Sequence, residues 1–252
     1  MSEPDSGSDL ASVRTRAVEV PEGWRINGTK IWTSNAHECH YMILTCRTRP
    51  PGQARHEGIS QFLIDLKHTQ GIAIRPIANL AGEHHFNEVV FTDCVVPADA
   101  LLGREGEGWN QVMNELGFER SGPERFLSSY VLLVELVRAV GPAPPERAAE
   151  VVGRMIAHLT TLRRMSKSVA GMLQAGRNPN LEASLVKDLG AVFEQEIPEL
   201  ARQLVDAEPT LGDDPDFAGV LGQIVLHAPS FSIRGGTREI LRGIIARGLG
   251  LR

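Results

Sequence analysis

Two neighbouring glycines precede a helical pattern near the carboxyl end of the chain, in the stretch SIRGGTREILRGIIARG at residues 232–248. Gly235 and Gly236 carry no side chains, and Thr237 follows them at a position where its hydroxyl can cap a helix. Glycines ahead of a helix let backbone N–H groups approach a ligand closely. An ordinary turn with positive φ requires the same residues. The stretch therefore predicts either a plain turn or a binding site built from backbone alone.

Two glutamates in the segment ERSGPER, Glu119 and Glu124, are candidates for general acid–base chemistry. On a continuous helix, side chains five residues apart point about 140° apart, so at most one of the two can face a given cavity. Solvated helix charges are the ordinary alternative for such a pair. The segment therefore offers one candidate carboxylate, and the residues alone do not choose between the two.

A tryptophan followed by two hydroxyl side chains occurs in the stretch KIWTSNA at residues 30–36. Trp32 falls between a predicted strand and a turn, and Thr33 and Ser34 add hydrogen-bonding groups beside it. Core packing at the end of a strand would use the same residues. An aromatic wall next to hydroxyl groups would also suit a flat ring system. Both interpretations are open at this point.

The histidines and cysteines do not form a recognisable metal motif. His84 and His85 follow Glu83, but adjacent residues on a strand point to opposite faces, so both rarely bind one ion. The three cysteines show no CxxC spacing and are expected to be buried, reduced thiols. A G-x-G-x-x-G turn after a strand and a Walker A loop are also missing from the sequence. We therefore expect no metal site.

Composition restricts the class of partner. The chain has 252 residues and a formal net charge of −5, and no stripe of Lys and Arg follows any predicted helix. Such a chain is not expected to bind nucleic acid. No signal peptide and no apolar run of transmembrane length occurs in the sequence. These features predict a cytoplasmic protein without a membrane partner.

The elements that would position the candidate residues change character near residue 105. Six short runs rich in β-branched and aromatic residues occupy 13–20, 23–34, 41–46, 59–66, 71–77 and 86–96. Helical spacing of apolar residues follows, interrupted near Pro123 and at 141–145, with further helices at 146–176, 180–206, 215–228 and 237–247. We therefore predict an α+β multidomain chain, with an antiparallel β-barrel-like domain at 1–105 and a bundle of four to five helices at 106–252.

Five motifs occur in an order that resembles the acyl-CoA dehydrogenase family, over essentially the whole chain from Ser2 to Arg252. The motifs are SEPDSGSD, NGTKIWTSNA, GEGW, GFER and GGTREILRGIIARGLG. The first and last are specific when they occur together, and the β-then-α order agrees with the middle and C-terminal domains of the family. The resemblance implies FAD as cofactor, held in a cleft between the β domain and the helices, often in contact with a neighbouring subunit.

The resemblance also implies which residues contact FAD. SEPDSGSD is similar to the family's T-E-P-x-x-G-S-D loop, which borders the isoalloxazine, and the W-[ST]-[ST] segment stacks on the flavin and hydrogen-bonds it. The start of the last helix suits phosphate oxygens. The implied FAD-binding residues are Ser2, Glu3, Gly7, Ser8, Trp32, Thr33, Ser34, Thr237 and Glu239. Many members have Gln at the position of Glu239, whose charge disfavours direct contact with phosphate.

On the substrate side, the resemblance implies an acyl-CoA thioester. The implied contact residues are Ser8, Arg120, Gly235, Gly236 and Arg247. Ser8 would lie near the thioester and Arg247 near bound CoA, and the Gly235 N–H would donate to the thioester oxygen as it becomes enolate-like. The space that a missing glutamate side chain would leave beside Gly235 predicts a preference for branched or bulky acyl groups.

The position of the base departs from the commonest family pattern. Many members read Glu-Gly-Thr where this chain reads Gly-Gly-Thr, and their glutamate removes the α-proton. A minority carry the base on an earlier helix, in a segment like LDLER. Counting without a gap from Trp109, the aromatic of the G-x-G-[FW] turn, places Glu119 at that position with Arg120 beside it. Glu124 is the second choice.

Two parts of the family pattern are not visible. The N-terminal helical domain is missing, so we expect a chain truncated at its start, and VRAVGPAPPERAAE stands where the R-x-x-F-G segment would lie. The implied function is α,β-dehydrogenation of an acyl-CoA in fatty acid or lipid metabolism by an oligomeric flavoprotein, homo- or hetero-oligomeric, that passes electrons to an electron-transfer flavoprotein. The alternative is a non-catalytic or partner subunit of a hetero-oligomeric acyl-CoA dehydrogenase.

Overall fold

The first part of the chain forms a seven-stranded mixed sheet in the computed structural model, which describes residues 1–212 and 216–251. The strands are β1 (Arg16–Val20), β2 (Gly23–Ser34), β3 (Tyr41–Arg47), β4 (Ile59–Asp65), β5 (Ile72–Ala78), β6 (His84–Val96) and β7 (Leu101–Leu102). Their order in the sheet is β5-β6-β2-β1-β3-β4-β7. The six predicted strands are all present, because period-two apolar patterns bounded by turn residues specify them locally.

Two features of the predicted β domain differ from the structure. The barrel-like arrangement is not confirmed, because the sheet is open and no pairing within residues 1–212 and 216–251 joins β5 to β7. The sheet is also not wholly antiparallel, since β1 and β3 pair in parallel at Arg16 and Arg47. β3 pairs with the edge of β1 that β2 leaves free, and it runs antiparallel to β2. Local periodicity could not predict this, because it does not encode the pairing of strands that are not consecutive in sequence. The short strand β7 was not predicted.

Apolar side chains on one face of the sheet form the core of the first unit. Trp24 packs its ring edge against Phe62, with 5.4 Å between the ring centroids. Cys46 and Cys94 are buried, and burial raises the pKa of their thiols to about 12 and about 11. Cys39 is exposed, so the expectation that all three thiols are buried is wrong for this residue.

The second part of the chain is helical. The α-helices are α1 (Gly108–Glu119), α2 (Tyr130–Val140), α3 (Glu146–Gln174), α4 (Asn180–Leu204), α5 (Phe217–Phe231) and α6 (Arg238–Gly248). The described residues thus hold six α-helices rather than four to five. The fourth predicted helix, at 215–228, begins at a residue outside the described ranges, and α5 runs three residues further than predicted. The GPAPP break is confirmed, because it falls between α2 and α3.

The chain divides into two compact units, Met1–Met113 and a second that begins at Asn114. The core of the second unit is a cluster of apolar side chains from α2, α3, α4 and α5 that includes Leu136, Leu162 and Phe193. The assignment of 1–105 as a flavin-side domain and of 106–252 as its helical partner stays a prediction. Over the described ranges, no helix combines the length and the apolar character needed to cross a membrane.

Candidate active site

The loop before β1 is fixed to the sheet by the buried carboxylate of Glu3. This carboxylate accepts hydrogen bonds from the Arg14 N–H at 2.7 Å, the Thr15 N–H at 2.9 Å and Lys30 Nζ at 2.8 Å. Burial acts to raise the pKa of Glu3, but the charge of Lys30 and these hydrogen bonds outweigh it, so the pKa is lowered. The carboxylate therefore stays charged and holds the loop against the sheet.

The predicted FAD-binding residues of this loop differ in exposure. The side chain of Glu3 is directed into the protein, so only its backbone remains a candidate for contact with a ligand. Gly7 and Ser8 are exposed, and a Cβ added to Gly7 would meet no atom within 4 Å. The Ser2 carbonyl accepts a hydrogen bond from the Ile31 N–H at 3.0 Å, next to Trp32. The loop and the tryptophan segment are thus brought together by the backbone.

Trp32 lies at an irregularity of the sheet. The register between β2 and β6 shifts between Lys30 and Thr33, and Trp32 has a φ of 59°, which is rare for a residue with a side chain. Its indole is 55% exposed and touches Phe86 only through an edge-to-face contact, with centroids 5.8 Å apart. Unusual backbone geometry of this kind concentrates at functional sites. A flat apolar face is thereby presented beside the exposed Ser34 and the half-buried Thr33.

A buried asparagine behind this segment was missed by the sequence analysis. Asn87 Nδ2 donates to the Thr33 carbonyl at 3.0 Å and to His37 Nδ1 at 3.1 Å, and Asn87 Oδ1 lies 2.8 Å from His84 Nε2. The rings of His37 and His84 stack, with centroids 3.9 Å apart. His84 is thus part of a support for the tryptophan segment. His84 and Asn87 lie three residues apart on β6, but His37 is fifty residues from Asn87, so no local pattern could have indicated the cluster.

The glycine pair occupies the turn between α5 and α6. Gly235 and Gly236 have φ values of 64° and 102°, which residues with side chains rarely adopt. Thr237 caps α6 by accepting a hydrogen bond from the Ile240 N–H, as its position predicted. The Gly235 carbonyl accepts a hydrogen bond from Arg120 Nε at 3.3 Å. Over the described ranges, the Gly235 N–H makes no hydrogen bond, so it remains available as a donor.

Glu119 reaches the empty side-chain position of Gly235. A Cβ built on Gly235 would lie 3.3 Å from Glu119 Oε1 and 3.3 Å from Arg125 Cζ. The expected free space beside Gly235 is therefore filled, because the side chains of Glu119 and Arg125 occupy it. The preference for branched or bulky acyl groups stays a prediction.

The two candidate glutamates have different surroundings. Glu119 is the last residue of α1, its side chain is 31% exposed, and it forms an ion pair with the buried Arg125. Glu124 is 56% exposed and lies 3.8 Å from Arg125 Nε. The two do not share a helix, because Glu124 lies in a 3-10 turn at Pro123–Arg125 after α1 has ended. The predicted interruption near Pro123 is confirmed, the angle for a continuous helix does not apply to this pair, and the more enclosed candidate is Glu119.

Charged side chains of α4 hold both ends of the glycine turn. Lys187 Nζ donates to the Phe231 carbonyl at 2.7 Å, Glu194 accepts from Arg234 at 2.9 Å, and Asp188 accepts from Arg238 Nε at 2.8 Å. Burial and the neighbouring charges of Arg125 and Arg234 lower the pKa of Lys187 to about 8. These contacts fix the backbone of residues 231–238, and no local sequence pattern indicates them.

The remaining predicted residues fall in two environments. Arg120 is buried and donates to Asn180 Oδ1 at 3.1 Å; burial lowers its pKa, against the opposing charge of Glu119. Glu239 and Arg247 on α6 are both exposed. A hydrogen bond from its own backbone N–H and one from the Thr237 hydroxyl lower the pKa of Glu239. No group of three or more potential metal ligands occurs among the residues described.

Comparison with known proteins identifies the family. The family model for the acyl-CoA dehydrogenase middle domain matches residues 1–94, and that for the acyl-CoA dehydrogenase C-terminal domain matches residues 147–250. The chain belongs to the acyl-CoA dehydrogenase family. This family consists of oxidoreductases, and the family-model matches contain its middle and C-terminal domains.

Individual acyl-CoA dehydrogenases match nearly all of this chain. Acyl-CoA dehydrogenase IpdE1 of Mycobacterium tuberculosis is 36% identical over 99% of this chain, and acyl-CoA dehydrogenase FadE34 of the same organism is 32% identical over 98% of it. The crystal structure of an acyl-CoA dehydrogenase from Geobacillus kaustophilus superposes with a TM-score of 0.85, at 26% identity over 99% of this chain. The chain spans 65% of IpdE1, 34% of FadE34 and 67% of the Geobacillus chain.

Proposed function

We propose that this acyl-CoA dehydrogenase family member introduces an α,β double bond into an acyl-CoA thioester with FAD as cofactor. The observation that carries the proposal is the position of the Glu119 carboxylate, 3.3 Å from the Cβ position of Gly235. The Glu119 carboxylate thus lies next to the position from which a side chain at 235 would extend. The relocated base keeps the reaction intact while the glycine turn supplies only backbone.

Glu119 removes the α-hydrogen as a proton in this proposal. General bases act from hydrogen-bonding distance, and the partial exposure of Glu119 leaves its carboxylate accessible to a substrate. The Gly235 N–H donates to the thioester oxygen, where negative charge develops as the proton leaves. Arg120 holds the Gly235 carbonyl and so orients the peptide group that follows it, while the α4 contacts keep the rest of the turn in place.

The residues of the tryptophan segment fit an isoalloxazine. The exposed indole of Trp32 offers a face for stacking, and Thr33, Ser34 and Ser8 provide hydroxyl groups. Bound FAD would supply the acceptor for the β-hydrogen, taken as hydride, and would pass two electrons on to an electron-transfer flavoprotein. In the first unit, Ser2, Gly7 and the backbone of Glu3 would contact the ring system. In the second unit, Thr237 and the amino end of α6 would suit phosphate oxygens.

The test compares two conservative substitutions in the purified protein. Glu119→Gln keeps the flavin absorbance at about 450 nm, because Glu119 does not bind the cofactor. Anaerobic addition of acyl-CoA then reduces this flavin about 10²- to 10⁴-fold more slowly than in the parent, since the general base is missing. Glu124→Gln is the matched control and reduces at the parent rate.

Two results would contradict the proposal. Loss of flavin reduction in Glu124→Gln, with the parent rate in Glu119→Gln, would move the base to Glu124. Flavin that binds but is not reduced by any acyl-CoA of a panel with straight, branched and ring-containing chains would exclude the dehydrogenase activity itself.

A further inference from the structure

Arg125 holds the end of α1 through both the backbone and the side chain of one residue. Its Nε donates to the Glu119 carbonyl at 3.1 Å, and its Nη2 bonds Glu119 Oε1. A guanidinium presents its donors in a rigid plane, so two bonds to one residue fix orientation as well as distance. The arginine side chain is only 10% exposed, which leaves it little freedom to adopt other rotamers.

The turn that carries Arg125 is seated on α4. A Cβ added to Gly190 would lie 2.4 Å from the Arg125 carbonyl oxygen and 3.1 Å from Phe126 Cβ, so the turn contacts the helix where α4 has no side chain. Phe126 is 2% exposed and belongs to the apolar core of this unit. The Arg125 N–H also donates to the Gly122 carbonyl at 3.0 Å. The guanidinium is therefore attached to a fixed backbone.

Glu119 is the carboxylate that stabilises the buried guanidinium of Arg125. A buried cation is costly without a paired carboxylate, and Lys187 is a second cation close enough to interact with it. Glu124, the other nearby carboxylate, is more distant at 3.8 Å and mostly exposed. The same guanidinium would be 3.3 Å from a Cβ on Gly235, so it lies directly beside the position that the substrate must approach in the proposed reaction.

We propose that Arg125 is the positioning residue of the base: its guanidinium holds the Glu119 carboxylate beside Gly235. This inference rests on the proposed function, since it assigns a role to Arg125 through Glu119. The two side chains are also coupled physically in the absence of substrate, through their ion pair. The two claims are tested by different measurements.

The kinetic test uses anaerobic flavin reduction by acyl-CoA. Arg125→Gln lowers the rate constant at saturating substrate by about 10²-fold, because a misplaced reacting group costs a factor of this size. The dissociation constant for acyl-CoA changes little, since Arg125 acts through Glu119. Arg125→Lys recovers part of the rate, because it keeps the charge but not the planar pair of donors. In Glu119→Gln, adding Arg125→Gln causes no further loss.

The second readout is thermal unfolding without substrate. Arg125→Gln and Glu119→Gln each lower the Tm, and the double variant loses less than the sum, because both changes remove the same pair. Arg138→Gln is the matched control. It removes an exposed arginine that pairs with Glu135 on α2, and it leaves the reduction rate unchanged.

The outcomes separate the positioning role from the proposed function. If Arg125→Gln reduces its flavin at the parent rate while Glu119→Gln reduces it slowly, the positioning role is overturned and the base assignment stands. A parent rate in Glu119→Gln overturns the base assignment itself. If Arg125→Gln does not fold, Arg125→Lys carries the same test, and a parent rate in that variant overturns the role. Two further results overturn the positioning role. One is a loss of Tm in the double variant equal to the sum of the losses in the single variants. The other is a further loss of rate when Arg125→Gln is added to Glu119→Gln.

Discussion

Each unit of this chain contains a carboxylate held by a buried cation, and the two pairs differ in how far the carboxylate is closed off. In the sheet unit, the side chains of Glu3 and Lys30 are 5% and 0% exposed. In the helical unit, those of Glu119 and Arg125 are 31% and 10% exposed. The first pair is closed on all sides, whereas the second has a buried cation and an accessible carboxylate.

The difference separates a structural pair from one that we propose to be reactive. Two backbone N–H groups and Lys30 use the hydrogen-bonding capacity of Glu3, so its carboxylate has no access to a ligand and serves to fix the loop. Glu119 is bonded through Oε1 to Arg125, and its exposure leaves room for a substrate. A pair closed on all sides is expected to affect stability most, and an open pair is expected to affect rate most.

The largest predicted effect on stability comes from breaking the closed pair. Glu3→Gln leaves the buried Lys30 charge without a carboxylate partner, which typically costs about 3–5 kcal/mol in the free energy of unfolding. The three tryptophans all lie in the first unit, at 24, 32 and 109, so denaturant unfolding followed by tryptophan fluorescence reports this unit selectively.

The control for this prediction is Glu88→Gln, which removes an exposed ion pair with Arg75 on the same sheet and costs at most about 1 kcal/mol. Because the pKa of Glu3 is lowered in the folded state, its contribution is present above the unfolded pKa of 4.5 and disappears as the pH falls through the folded value. The difference in the free energy of unfolding between the parent and Glu3→Gln should therefore become smaller below about pH 4.5. Equal stability of the two proteins at pH 7 would show that the pair is not structural.

Lys187 extends the comparison to a buried cation that donates to a carbonyl. Its folded pKa of about 8 lies below its ordinary value of 10.5, so the folded protein binds fewer protons than the unfolded chain between these values. Stability therefore rises with pH across this window, by about 3 kcal/mol at most. In Lys187→Met this rise is missing, so the free energy of unfolding of the parent should increase relative to that of the variant as the pH is raised. Urea unfolding at pH 7, 9 and 10.5 measures this difference.

Lys167→Met, at an exposed position on α3, is the control for Lys187 and should follow the pH dependence of the parent. The contradicting result is that the parent and Lys187→Met differ in the free energy of unfolding by the same amount from pH 7 to 10.5. That result would mean that Lys187 keeps its ordinary pKa in the folded protein.

The smallest effect on stability is expected at the exposed tryptophan. Trp32→Ala changes the free energy of unfolding by about 1 kcal/mol or less, because the side chain is mostly exposed. Flavin content after gel filtration should nevertheless fall, since the stacking surface is removed. Tyr41→Ala on β3 is the control, as Tyr41 is 59% exposed and belongs to no predicted site. Equal flavin content in the Trp32→Ala variant and the parent contradicts the assignment.

Local patterns predicted the secondary structure well and the contacts poorly. β2 was predicted to span 23–34 and does so, because its alternation and flanking turn residues lie within one short window. The 3-10 turn at Pro123–Arg125 was missed, because a proline within an apolar helical pattern predicts an interruption but not the geometry that follows it. The contact of Arg125 with Glu119 depends on that geometry and was therefore not predicted.

The sequence by itself determined the order of strands and helices, the family, the glycine turn with its threonine cap, and Glu119 as the candidate base. Each depends on residues that are close in the chain or on motifs of fixed spacing. Only the tertiary structure showed that Glu3 is closed in by Lys30, that Asn87 supports the tryptophan segment, and that Arg125 holds Glu119 beside Gly235. These contacts join residues of different elements, and their energies depend on burial and orientation, which exist only once the chain has folded.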